Sequence, residues 1–333
     1  MISPTSLRGS KITGTGRYCP PRVLTNEDLE KMVDTSDEWI LTRTGIRERR
    51  IADRGQACSD LALEASMAAL HSAGVGASEL DAIIVGTVTG DMVFPATACL
   101  IQERLGAKKA AGFDVSAACC GFVYGVSNGH ALIASGQMDK VLIVGVDILS
   151  KIVDWKDRAT CVLFGDGAGA VVLEACSAGE GILGTYMKSD GSLADLLQVP
   201  SGGSRDPASP ETCARGGHYL KMKGDGVFKY AVRAMEDAVK QVLDRANLTI
   251  DDVDLIIPHQ ANIRILDAVH KRLGVSADRV VVNIDRYGNT SSGTIPIALD
   301  EVVRNGRLKK GDVVLMVTFG GGLTWGSLLF RYN

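Results

Sequence analysis

At 333 residues with 46% hydrophobic side chains, the chain is long enough for one large domain or two of ordinary size around a sizeable core. A net charge of −3 excludes a blanket attraction to nucleic acid or to anionic membrane, so any basic docking face must be local. No apolar run approaches the ~18 residues of a membrane span, and MISPTSLRGSKITGTGRY lacks the apolar centre of a signal peptide, which points to the cytoplasm.

Taken in chain order, "SDLALEASMAALHSAG" carries apolar residues at helical spacing and ends on a glycine suited to a C-cap. "DAIIVGTV" (81–88) reads as a buried strand. "FDV" ends another, and "GFVYGVSNGHALIASG" then reads as a helix ending at Gly136. "KVLIVGVD" (140–147) and "GAVVLEA" (169–175) are strands, and "VFKYAVRAMEDAVKQVLDRAN" is a long helix. "DLIIPHQ" (254–260), "VVVNID" (280–285) and "VVLMVTFG" (313–320) read as further strands. This alternation predicts an α/β fold with helices packed on a largely parallel sheet.

The pattern repeats. Asp81 and Asp139 open strands 58 residues apart, Asp254 and Asp312 do the same, and both pairs are offset by 173. "FGDGAGAVVL" (164–173) also resembles "FGGGLTWGSLL" (319–329). The chain therefore reads as two duplicated α/β halves, 1–178 and 179–333, packed about a pseudo-twofold axis.

Eight cysteines are scattered, mostly in apolar segments, with no CxxC and no clustered Cys/His spacing, so no metal is expected. Most read as buried free thiols of a reducing compartment. "FDVSAACCGF" (113–122) differs, because small residues lead from a strand into a helix. A cysteine there lies near a helix N-terminus that favours thiolate, on a turn expected to expose its sulfur. Whether Cys119 or Cys120 reacts is open from the residues alone.

Of five histidines, His71, His130 and His270 sit in helix-like segments, whereas His259 follows directly on a strand, where open α/β sheets place ligands. Subtracting the repeat from Asn289, in "DRYGNTSSGTIP", lands three residues before Cys119, which makes Asn289 a candidate donor that cannot titrate. "FGGGLTWG" (319–326) follows a strand and reads as a turn that aims a backbone N–H at a carbonyl. "GDGAGA" fits a dinucleotide-binding pattern but leads into a strand rather than a helix, so dinucleotide binding is not expected.

Together with "NEDLEKMVDTSDEWILTRTGIRERR" (26–50), "FGDGAGA" and "PHQANIR" (258–264), these segments resemble the thiolase superfamily, and most closely the β-ketoacyl-acyl-carrier-protein synthase III family that initiates fatty-acid synthesis. The resemblance covers almost the whole chain. It implies the thiolase-like fold with layers α-β-α-β-α. It assigns Cys119 as nucleophile, His259 and Asn289 as its partners, and the backbone N–H groups of Cys119 and Gly321 as the oxyanion hole. Cys120 and Phe319 are implied as acyl-pocket walls, with Phe94 reaching across a homodimer to close the partner's pocket. Thr35, Trp39, Arg43 and Arg158 are implied to hold coenzyme A, and Lys229 to join a carrier-protein docking face. Arg264, Lys271 and Arg272 extend that face on the helix after His259.

The implied reaction is a decarboxylative Claisen condensation. An acyl-CoA primer acylates Cys119, malonyl-acyl carrier protein follows, and no cofactor is needed because coenzyme A is a substrate. Degradative thiolases need a late second cysteine, but the last one here is Cys213. Elongating synthases carry a second histidine where this chain has Asn289. A condensing enzyme of polyketide metabolism with another primer, and a non-catalytic carrier-binding scaffold, are the alternatives. Acetyl, branched and longer primers all fit the framework.

Overall fold

The computed structural model describes residues 8–333; residues 1–7, the start of the expected N-terminal half and of the stretch read as free of a signal peptide, lie outside them. Two mixed sheets form the frame. The first contains β1 (Gly9–Tyr18), β2 (Ala82–Gly86), β3 (Ala111–Val115), β4 (Lys140–Ile148) and β5 (Asp166–Cys176), in the order β1-β5-β4-β2-β3. The second contains β6 (Ile182–Ser189), β7 (Leu255–Pro258), β8 (Val313–Gly320) and β9 (Thr324–Arg331), in the order β7-β8-β9-β6.

The sheets are less parallel than the alternation of elements suggested. β2 runs parallel to β3 and β4, and β7 to β8. The pairs β1–β5, β4–β5, β8–β9 and β9–β6 are antiparallel. The connection from β8 to β9 shows why: it is only Gly321–Leu323, far too short for the helical crossover that a parallel pair requires.

Six helices complete the layers: α1 (Asp37–Thr44), α2 (Cys58–Ala73), α3 (Gly121–Ala134), α4 (Gly224–Ala246), α5 (Ile263–Leu273) and α6 (Thr294–Arg304). α3 and α6 lie between the sheets, where Phe122, Val126, Ile295 and Leu299 share one buried cluster with Ile84, Ile143, Met316 and Leu328. α2 covers the outer face of the first sheet through Leu61 and Ala65, and α4 and α5 cover that of the second through Met235 and Val269. The result is the five-layered thiolase-like arrangement α-β-α-β-α. Along β4, Val141 and Ile143 face the inner helices while Leu142, Val144 and Val146 face outward, which is why this strand reads as an unbroken apolar run.

α3 is an unusual inner helix because Gly121, Gly125 and Gly129 each cost it about 1 kcal/mol relative to alanine. Their four-residue spacing puts them on one face. A Cβ added at Gly125 or Gly129 would come within 3.0 Å or 2.9 Å of the Ile143 side chain, so the glycines let the helix press onto the sheet.

The duplication extends to single hydrogen bonds. The N–H of Asp81 donates to the Lys140 carbonyl and that of Asp254 to the Val313 carbonyl, each at 2.9 Å. In return the N–H of Lys140 reaches Asp81 Oδ2 at 3.0 Å, and that of Val313 reaches Asp254 Oδ2 at 2.8 Å.

One expected strand fails. "VVVNID" makes a single bridge, Ile256 to Val280, and then enters a short helix at Ile284. Polar side chains replace the ladder: Gln260 Nε2 donates to the Val281 carbonyl at 3.0 Å and the Asn283 N–H to Gln260 Oε1 at 3.0 Å. Among the described residues no helix is long and apolar enough to cross a membrane.

Candidate active site

The cysteine turn is built on strain. Ala118 has φ +47°, a left-handed value that costs a residue with a Cβ about 1–3 kcal/mol, and it opens the single 3-10 turn Ala118–Cys120 that runs straight into α3. Cys119 sits in that turn but is only 7% exposed, so the expectation of an exposed sulfur is corrected. Burial pushes its thiol up to about 12, and hydrogen bonding from the Ser291 side chain works against the push, as the helix N-terminus must. At neutral pH the resting group is therefore a thiol and not the thiolate expected from the turn alone.

Cys120, one residue on, points elsewhere. Its Sγ lies 3.3 Å from the Thr324 carbonyl in a fully buried position, and it lines neither of the cavities described below. Adjacent side chains in a 3-10 turn diverge by about 120°, which removes Cys120 from the pocket wall assigned to it.

His259 leaves β7 with its N–H bonded to the Val317 carbonyl at 2.8 Å. Its ring is buried, which pushes its pKa down to about 3, so it is neutral at physiological pH. The Thr294 hydroxyl lies 2.7 Å from Nδ1. Asn289 is held by backbone bonds on both sides, its N–H to the Leu163 carbonyl at 2.9 Å and its carbonyl from the Gly165 N–H at 3.0 Å. Its Oδ1 accepts the Ser291 N–H at 2.8 Å.

Cys119, His259 and Asn289 line one cavity of about 430 Å³, which also touches Trp39, Arg43, Phe228 and Arg264 at exposed positions on its rim. Cys119 also lines a second cavity of about 360 Å³ with Leu149, Ile152, Phe164, Leu197 and Leu220. Its sulfur thus stands where a polar approach meets an apolar recess. Gly321 lines the second cavity, and among the described residues neither its N–H nor that of Cys119 is bonded to a backbone acceptor. Such free donors beside the sulfur can receive a developing oxyanion.

The other expected pocket residues lie elsewhere. Phe319 lines the first cavity, since it ends β8 on that side. Phe94 lines neither and is 82% exposed. The segment 199–222, which carried no readable signal, supplies Val199 and Leu220 to the second cavity and Met222 to the first.

At the rim, the guanidinium of Arg43 stands 4.8 Å and that of Arg158 5.2 Å from the Trp39 ring centroid. The Thr35 hydroxyl is buried beside them in sequence with no hydrogen-bond partner among the described residues. Arg264 stacks on Phe228 at 5.6 Å. Lys229 and Lys271 are exposed, whereas Arg272 turns toward α4 and pairs with Glu236. Among the described residues no cluster of His, Cys, Asp or Glu is placed to hold a metal ion.

Comparison with known proteins agrees with this geometry. Residues 113–191 match the family model 3-oxoacyl-acyl-carrier-protein synthase III, and residues 243–332 match the model of its C-terminal part. The β-ketoacyl-acyl-carrier-protein synthase III of Symbiobacterium thermophilum is 56% identical over 98% of this chain and 99% of its own length. The chain belongs to the β-ketoacyl-acyl-carrier-protein synthase III family. The crystal structure of 3-oxoacyl-acyl-carrier-protein synthase III from Aquifex aeolicus superposes with a TM-score of 0.90 at 49% identity, over 97% of this chain and 100% of that one. A priming β-ketosynthase from the R1128 polyketide pathway superposes with a TM-score of 0.92 at 36% identity, over 100% and 99%. As a synthase III the chain is an acyltransferase, a condensing enzyme that initiates fatty-acid synthesis.

Sequence reasoning missed the residues that hold this synthase's site together. Asp147, fully buried, accepts from Thr87 Oγ1, the Val88 N–H and Thr89 Oγ1 at 3.1, 2.9 and 2.8 Å, and from the Ser292 N–H at 3.3 Å. It ties a loop of the first half to the turn that carries Ser291. The signal for that turn was available, because Ser291 lies one repeat of 173 residues beyond Ala118.

Proposed function

We propose that this synthase condenses an acyl-CoA primer with malonyl-acyl carrier protein through an acyl-enzyme on Cys119. The observation that carries the reading is the junction at Cys119, where the cavity holding His259 and Asn289 meets the apolar recess. Coenzyme A enters past Trp39, Arg43, Arg158 and Thr35, whose indole and guanidinium planes suit an adenine and whose cations suit phosphates. The Cys119 sulfur bonds to the acyl carbon, the N–H groups of Cys119 and Gly321 hold the oxyanion, and the thiol proton leaves with the coenzyme A sulfur. The acyl chain occupies the recess of Leu149, Ile152, Phe164 and Leu220.

Malonyl-acyl carrier protein then docks near Arg264, with Lys229 and Lys271 beside it. Its carbon–carbon bond breaks, carbon dioxide departs, and the electron pair passes into an enolate whose oxygen accepts from His259 and Asn289. The carbanion attacks the acyl carbonyl and expels the Cys119 sulfur, which regains a proton from solvent. This chemistry calls on fixed donors and on no cofactor.

We further propose a homodimer, because Met92, Val93 and Phe94 form an apolar stretch exposed at 52%, 93% and 82%. An active monomer in sedimentation removes that part. The division at residue 178 is proposed as the boundary of two structural halves, and eight free thiols suit the reducing cytoplasm. A panel of acyl-CoA primers assayed with malonyl-acyl carrier protein tests the function: carbon dioxide release coupled to β-ketoacyl product supports it, and release without condensation contradicts it.

A further inference from the structure

His259 and Asn289 reach the cavity from different segments, yet both are gripped from behind by residues 291–294. The Ser291 N–H donates to Asn289 Oδ1 at 2.8 Å. An amide whose oxygen is occupied in this way presents its NH₂ to the other side, here the cavity. For His259 the partner is the Thr294 hydroxyl, 2.7 Å from Nδ1, and that hydroxyl also lies 3.0 Å from the Ser291 carbonyl.

A hydroxyl carries one hydrogen, so these two contacts cannot both be its donor bonds. Given to the Ser291 carbonyl, the hydrogen leaves Nδ1 to be the ring N–H, with Nε2 a bare acceptor. Given to Nδ1, it leaves the ring proton on Nε2. The lengths separate the cases: 2.7 Å is usual for a hydroxyl donor, whereas an N–H donor bond is more often near 2.9–3.0 Å. Among the described residues no other side chain bonds the ring.

We propose that Thr294 is a positioning residue that holds His259 as its Nε2–H tautomer by donating to Nδ1, so that one turn aims two neutral N–H groups at the same point of the cavity. This deepens the reading of His259 and Asn289 as enolate donors and rests on it. The two grips are alike. Each hydrogen donated by the turn occupies the acceptor of one side chain and leaves a donor facing inward. A carbonyl or carboxylate in place of the hydroxyl would force the opposite tautomer. Burial keeps the ring neutral, so its donor function depends on which nitrogen carries the single proton.

The chain has only five histidines, so selective ¹⁵N labelling and two-bond ¹H–¹⁵N correlation of the intact protein read the tautomer directly. The His259 ring is identified as the one missing in His259→Asn. The expected pattern is a neutral ring protonated at Nε2. Thr294→Val should replace it with a mixed or Nδ1–H pattern and lower malonyl decarboxylation by about tenfold or more, with acylation of Cys119 much less affected. Thr294→Ser should restore pattern and rate. An Nδ1–H pattern in the unmodified protein, or an Nε2–H pattern unmoved by Thr294→Val, overturns the inference. An Nε2–H pattern in a chain that does not decarboxylate malonyl-acyl carrier protein leaves the tautomer standing and removes the functional reading instead.

Discussion

Cys119 and Ser292 hold matching places in the two halves of the molecule, 173 residues apart. Each is the second residue of a single 3-10 turn opened by a left-handed residue, Ala118 at φ +47° and Ser291 at φ +51°, and each turn leads into an inner helix. Each nests on the central strand of the other half. The Thr318 hydroxyl donates to the Cys119 carbonyl at 2.9 Å, and the Ser292 carbonyl crowds Gly145, where an added Cβ would meet it at 2.3 Å. The duplication thus yields two strained turns back to back. One carries the sulfur, and the other holds the groups that face it.

That division of labour predicts unequal effects on the two half-reactions. His259→Ala or Asn289→Ala should lower malonyl decarboxylation by about 10²–10³, the usual cost of removing one oxyanion donor, and spare acylation by acyl-CoA. Single-turnover acylation and carbon dioxide release measure the steps separately. Equal losses in both would make His259 an obligatory base for the thiol.

Much of this was legible in the sequence because the local patterns and the long-range packing agree. β4 and β8 read as apolar runs because both of their faces are buried, and the 173-residue offset between them survives as identical hydrogen bonds at Asp81 and Asp254. Cys119, His259 and Asn289 stand out as polar or reactive groups at strand and turn ends. The second cavity was illegible for a physical reason. Leu149, Phe164, Leu197 and Leu220 come from separated segments and look like any core residues until the fold leaves space between them. "VVVNID" misled because its composition suits a strand, while Gln260 and Asn283, outside any strand pattern, satisfy its backbone.

The buried His259 ring should make stability depend on acidity. Its folded pKa, near 3, lies below the ordinary 6.5, so the unfolded chain takes up the proton first as pH falls. Its contribution is whole above the unfolded value and shrinks by about 1.4 kcal/mol per pH unit below it, or about 2 kcal/mol by about pH 5. Urea unfolding at about pH 7 and pH 5 should show the unmodified chain losing that much more than His259→Asn. Parallel losses in the two proteins contradict the assignment.

The recess behind Cys119 should set primer length. Leu220→Phe adds bulk to a 360 Å³ cavity, so it should depress acylation by long acyl-CoA primers more than by acetyl-CoA. Acylation rates across a chain-length series check this, and a uniform loss across the series locates the acyl chain elsewhere.

Carrier docking should be separable from primer binding. Reversing charge at Arg264 and Lys271 should weaken the malonyl-carrier step and reduce its salt sensitivity, while acylation by acyl-CoA, which engages Trp39 and Arg43, stays nearly unchanged. Arg272→Glu should matter less, since that side chain is already paired with Glu236. Steady-state kinetics against each substrate distinguish the outcomes.

The central claim is that one of two adjacent thiols carries the acyl group. Incubation with an acyl-CoA, then proteolysis and mass spectrometry before and after malonyl-acyl carrier protein is added, tests it most directly. Acyl label on Cys119 that the malonyl carrier discharges, absent in Cys119→Ala and largely kept in Cys120→Ala, is the result predicted from a sulfur that opens on both cavities beside one that lines neither. Label on Cys120 in the unmodified chain, or label on Cys119 that the malonyl carrier leaves in place, would contradict the account.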